Sequence, residues 1–169
     1  RAVTIENAAE TTLEIVARGG ASAIFHAINE DDLVRILKDP LTMIASDGGV
    51  EIPKRGVPHP RSYGTFARVL GVYVREKRVL SLEDAVRKMT SLPAARLGLQ
   101  DRGLLRPGMK ADIAIFDPAR IRDRATFSDP HQYAEGVSYV IVNGAVVLDN
   151  GKMSEARPGQ VLLGPAARR

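Results

Sequence analysis

Residues 22–49 read SAIFHAINEDDLVRILKDPLTMIASDGG, and their alternation decides the fold class. Ser22 to His26 is a short apolar run of strand length. Asn29 then precedes Glu30-Asp31-Asp32, a good N-cap with acids at the positive end of the helix dipole. Leu33, Ile36 and Leu37 supply the buried stripe of that helix, and Pro40 ends it. Leu41 to Ala45 is a second apolar strand, running straight into Ser46-Asp47-Gly48-Gly49. A further helix is expected over Thr4 to Arg18, stopped by Gly19-Gly20. The first fifty residues therefore read α-β-α-β, an α/β order that argues for a parallel sheet with crossover helices. In such folds ligands bind beyond the carboxyl ends of the strands, and Asp47 lies just past one.

Outward from this stretch, residues 48–61 (GGVEIPKRGVPHPR) are too rich in Gly and Pro for regular structure. A helix is expected from about Ser62 to Lys77, with Phe66, Val69, Leu70 and Tyr73 on one face. Ser81-Leu82-Glu83-Asp84 resembles a capping box, and Leu82, Ala85, Val86 and Met89 follow at helical spacing. Pro93 opens one more short helix, which Gly98 closes. Beyond it the texture changes. Ala111 to Asp117 alternates like a strand, and Val137–Val142 and Ala145–Leu148 flank Asn143-Gly144, a strong hairpin signal. Asn150-Gly151 marks a second turn. The expected division is a helix-containing unit over 1–102 and a β-rich unit over 103–169.

The 169 residues are 44% hydrophobic, enough for a core. No apolar run approaches transmembrane length, so no membrane association is expected. The chain has no cysteine, which excludes disulfides, thiolate zinc sites and cysteine nucleophiles within it. That is compatible with a reducing compartment, and a cytoplasmic location is expected. The net charge of +4 is uneven: −4 over residues 1–50, +6 over 51–100 and +2 over 101–169. With 5% aromatic residues and no long Lys/Arg run, the basic middle reads as a solvated face rather than a nucleic-acid surface.

Asp47, between a strand and two glycines, suits a general base or a metal ligand, and equally an ordinary Asp-Gly turn. His59 in Pro58-His59-Pro60-Arg61 is held on stiff backbone. Arg61 could take a substrate carboxylate through a two-pronged contact, or could simply be a solvated loop residue. His26 at the end of the first strand reads as a packing residue, and His131 as structural or exposed. Three scattered histidines with no HxH or HExxH argue against a complete zinc site within the chain. No GxSxG or GxxxxGK[ST] occurs.

Several motifs follow one another in order: Ser46-Asp47-Gly48, the block HPRSYGTF over 59–66, MTSLPA over 89–94, Asp101-Arg102-Gly103, GMKAD over 108–112, Phe116-Asp117-Pro118 and Val142-Asn143-Gly144. This series resembles the C-terminal part of the N-acyl-D-amino-acid deacylases (D-aminoacylases) of the amidohydrolase superfamily, from about residue 4 to residue 164. MTSLPA and the GxxADxxxFD pattern are shared across the superfamily. HPRSYGTF with the preceding SDG is much more specific to the deacylase branch.

The resemblance implies the last part of a (β/α)8 barrel plus strands of a small β-sandwich. It implies zinc-assisted hydrolysis of the N-acyl bond of an N-acyl-D-amino acid, with a metal-bound water attacking the carbonyl. Asp47 matches the aspartate that takes the water's proton and passes it to the leaving amine. His59 and Arg61 match the family's HPR loop near the barrel mouth, which implies a substrate-side or loop-ordering role, and Ser46 and Gly48 beside Asp47 are further substrate-binding candidates. The family's metal ligands come from earlier strands, so Asp47 is the one candidate ligand here and zinc is expected to be held mainly outside this chain. The expected partner is a missing N-terminal barrel portion, without which the segment should be inactive. The alternatives are a cyclic-amide hydrolase of the dihydroorotase or hydantoinase kind, against which HPRSYGTF argues, and a non-catalytic β-rich module.

Overall fold

A computed structural model describes residues 4, 6–21 and 23–164. Five helices precede four strands: α1 (Ala8–Ala17), α2 (Glu30–Lys38), α3 (Arg61–Arg68), α4 (Leu82–Met89), α5 (Ser91–Arg96), then β1 (Ile113–Phe116), β2 (Val137–Val142), β3 (Ala145–Asp149) and β4 (Lys152–Met153). Helix α3 continues without a break as a π-helical stretch over Val69–Glu76. None of these helices is long and apolar enough to cross a membrane.

Local chemistry accounts for the ends of these elements. The Asn29 side chain accepts the Asp31 amide at 2.7 Å and starts α2. The Ser81 hydroxyl accepts the Asp84 amide at 3.1 Å and starts α4. The four strands form one antiparallel sheet in the order β1-β2-β3-β4. Its hairpins turn on Asn143-Gly144 and Asn150-Gly151, with φ of 47° and 83° in the first and 45° and 82° in the second. Two successive residues at positive φ define the type I′ turn that matches strand twist.

The two strands expected at 22–26 and 41–45 are not formed. Ser22 lies outside the described residues. Residues 23–29 and 42–50 carry no regular structure, and no ladder joins them, so there is no parallel sheet among the described residues. A strand is held by its neighbours' backbone groups, and here no neighbour is in place. Phe25 and Leu41 consequently face outward, 84% and 80% exposed, whereas Ile44 packs against the core.

The core lies where α2, α3 with its π-helical extension, and residues 80–85 meet, around Leu37, Ala67, Leu70, Tyr73, Leu80 and Ala85. Ile121, 2% exposed, joins it from the β-rich part. Gly64 and Gly71, two helical turns apart, make room for that segment. A Cβ on Gly64 would meet the Asp123 Cβ at 2.7 Å, and one on Gly71 the Ile121 carbonyl at 2.9 Å. Arg75 fastens the same segment, donating to the Ile121 carbonyl at 2.6 Å and the Pro118 carbonyl at 3.1 Å.

A second junction gathers three motifs that lie apart in sequence. Arg102 donates to Asp112 and, at 2.6 Å, to Asn143 Oδ1. The Asn143 amide donates to Asp112 Oδ1 at 2.7 Å, and its side-chain amide to the Pro158 carbonyl at 2.7 Å. Burial raises the Asp112 carboxyl, but the hydrogen bonds from Asn143 and Arg102 outweigh it and hold it below the usual aspartate range. The shared motifs Asp101-Arg102-Gly103, GMKAD and Val142-Asn143-Gly144 are thus one structural joint.

Candidate active site

Asp47 sits on the turn after residues 42–46 with φ of 48°, a left-handed conformation that Asp tolerates better than most residues. The Ser46 hydroxyl accepts the Gly48 amide at 3.2 Å and shapes this turn. Gly48 is packed onto the first turn of α3, where a Cβ would come within 2.8 Å of Ser62 Cα. Only glycine allows that approach. The Gly49 amide donates to Ser62 Oγ at 3.2 Å, and Ser62 Oγ donates in turn to Glu51 Oε1 at 3.2 Å. The loop carrying Asp47 is therefore docked on the helix carrying Arg61.

Arg61 Nη2 lies 3.0 Å from Asp47 Oδ2, with the side chains 44% and 84% exposed. An ion pair this wet contributes at most about 1 kcal/mol to stability. Its placement therefore leaves both groups available to a ligand rather than spent on the fold. His59 caps α3: its Nδ1 accepts the Arg61 amide at 3.0 Å, so its neutral form carries the proton on Nε2. Burial, then the charges of Arg61 and His26, push its pKa below the usual histidine value, against an opposing pull from Asp47. Phe127 packs edge-on between His59 (5.3 Å) and His26 (4.6 Å). His26, expected from its sequence position to be a packing residue, lies exposed, with its ring edge-on to Phe127.

His131 is structural too. Its Nδ1 pairs with the Tyr63 hydroxyl at 2.8 Å and its Nε2 with the Gly56 carbonyl at 3.1 Å, tying the 48–61 loop to α3 and the β-rich part. Nothing in the sequence singled out Phe127, which lies far from both histidines along the chain. The Gly64/Gly71 spacing, by contrast, was a usable signal for close packing on α3.

Ser46, Asp47, Gly48, His59 and Arg61 are thus brought to one loop-and-helix corner. A cavity of about 550 Å³ runs beneath it, lined by Leu37, Ile44, Ala45, Arg61, Asp123 and Phe127 among others. Asp47 stands outside that lining, and the walls are mostly apolar. The corner does not hold a metal by itself: no three His, Asp or Glu side chains converge among the described residues, and His59 Nδ1 is occupied by the Arg61 amide. Asp47 offers one donor. What the corner can do is place an exposed carboxylate, able to accept a proton, beside a guanidinium able to hold an anion.

Comparison with known proteins is consistent in one direction. The profile of the Amidohydrolase family matches residues 5–148. An N-acyl-D-aspartate deacylase of Alcaligenes xylosoxydans xylosoxydans is 50% identical over 142 residues, 84% of this chain and 28% of its own length. A D-aminoacylase of the same organism is 47% identical over 147 residues, 87% of this chain and 30% of its own. The structure resembles that of the N-acyl-D-glutamate deacylase of Bordetella bronchiseptica, solved with zinc and a phosphonate mimic of the tetrahedral intermediate. The TM-score is 0.75 at 43% identity, covering 89% of this chain and 34% of that one. The chain spans less than a third of the length of these curated relatives.

Proposed function

The chain belongs to the amidohydrolase family, and from that premise we propose that it is the C-terminal segment of a zinc-dependent hydrolase cleaving the N-acyl amide bond of N-acyl-D-amino acids. The observation that carries this reading is the Asp47–Arg61 corner: an ion pair too exposed to matter for stability, yet built by a glycine-only contact and an imidazole cap. In this reading Asp47 accepts a proton from the attacking water and passes it to the departing amine. Arg61 turns from Asp47 to hold the carboxylate of the amino acid, and His59 keeps Arg61 at the first position of α3. Ser46 and Gly48 shape the turn and bring backbone close to the substrate.

The described residues supply no metal site, so zinc would be held by chain beyond these 169 residues. The same reading explains the outward-facing Phe25 and Leu41. Residues 23–26 and 42–45 would be barrel strands awaiting neighbours, residues 1–102 the last barrel units, and the sheet over 103–169 one face of a small sandwich. The apolar cavity is then packing space for the rest of the barrel.

The test is an assay of the complete protein on N-acetyl-D-amino acids beside hydantoins and dihydroorotate. Turnover of the linear D-amides is expected. Turnover of cyclic amides alone would overturn the reading in favour of a cyclic-amide hydrolase. The 169-residue chain alone should be inactive, and activity should return when the N-terminal portion is supplied.

A further inference from the structure

Lys88 is the one charged side chain that is fully buried among the described residues. Its ammonium donates to the Asp39 carbonyl and, at 3.2 Å, to the Thr42 carbonyl. The Asp84 carboxylate lies 4.0 Å away. The Lys88 backbone carbonyl accepts the Ile44 amide at 3.1 Å. Beside it, Arg87 donates to the Pro40 carbonyl at 2.8 Å. The whole turn from α2 into residues 42–45 is therefore fastened to α4.

Burying an ammonium is costly unless its protons find acceptors, and a Met or Leu would fill the same space without that cost. The advantage of Lys88 is directional. By holding carbonyls on both sides of Pro40-Leu41, it fixes where the segment toward Asp47 begins. Asp47 follows Ile44 by three residues, roughly 10 Å of extended chain. At its far end the same segment is held by Gly48 against Ser62. Neighbouring barrel strands would fix it sideways; Lys88 fixes it along its length.

We propose that Lys88 is a positioning residue for Asp47, setting how far residues 42–47 project and hence where the carboxylate sits. This rests, in its catalytic consequence, on the proton-acceptor reading of Asp47. A misplacement of about 1 Å can cost on the order of 100-fold in rate.

The experiment uses the complete protein with Lys88→Met and Lys88→Arg. Lys88→Met should lower kcat by about 10-fold or more with KM within about twofold, and move the acid limb of the pH–rate profile, whereas a global loss of fold would lower the active fraction without moving that limb. Lys88→Arg, which keeps the charge but cannot place both bonds, should show a smaller fall in kcat, about threefold. Amide exchange at Ile44 to Asp47 should rise in both variants while that of α3 stays unchanged. Unaltered exchange at 44–47 overturns the proposal. If Lys88→Met does not fold, a Lys88→Arg variant with the parent's kcat, pH profile and exchange overturns it too. The exchange arm needs no substrate, so failure of the deacylase reading and failure of this proposal give different results.

Discussion

Two of the Asp–Arg pairs among the described residues share the same chemistry in opposite surroundings. Asp47–Arg61 sits at the rim with side chains 84% and 44% exposed. Asp112–Arg102 sits in the joint between helices and sheet, 32% and 11% exposed, with Asn143 completing it. In the joint both carboxylate oxygens of Asp112 have a donor, so the pair is committed to the fold. At the rim, water screens the attraction, and the pair is free to exchange its partner for a ligand. Exposure, rather than residue type, decides how much such a pair contributes to the fold.

The largest expected effect breaks the comparison if it falls on the wrong side. Asp47→Asn in the complete protein should cut kcat by about 100-fold or more, as loss of a positioned proton acceptor does, while the melting temperature stays within about a degree. Near-normal turnover would refute the proton role. Next, Arg102→Ala should cost roughly 3 kcal/mol in urea unfolding, because it leaves Asp112 without its partner, with turnover per folded molecule retained. A loss of kcat at unchanged stability would mean that the joint is part of the site.

Arg61→Ala sharpens the rim assignment. It should raise KM about 10-fold, the scale of one charge-assisted contact, and leave stability alone. The smallest effect is in pH dependence. Because the folded Asp112 carboxyl lies below its usual value, its stabilisation is present above about pH 4 and is lost as pH falls through the folded value. Asp112→Asn should flatten that acid limb of stability. An unchanged limb would place the acid sensitivity elsewhere.

The helices α2 and α4, their caps at Asn29 and Ser81, and both hairpins were legible in the sequence, since each signal lies within a few residues of its effect. So was the co-location of Asp47 with His59 and Arg61, through the resemblance. The strands at 22–26 and 41–45 were legible as apolar runs but are not strands in this structure, because a ladder requires partners that local pattern cannot supply. The π-helical turn of α3 carried no sequence signal.

By itself, then, the sequence determined where helices begin and chains turn, because capping and positive-φ turns are local equilibria of a few residues. It also determined the family, through motifs held in order. The tertiary structure decided where those motifs sit. It placed Asp112 and Arg102 inside and Asp47 and Arg61 outside, tied His131 to Tyr63 and Gly56, and set Lys88 under the turn that leads to Asp47. Burial depends on which distant segments meet, and no short window of sequence contains that information.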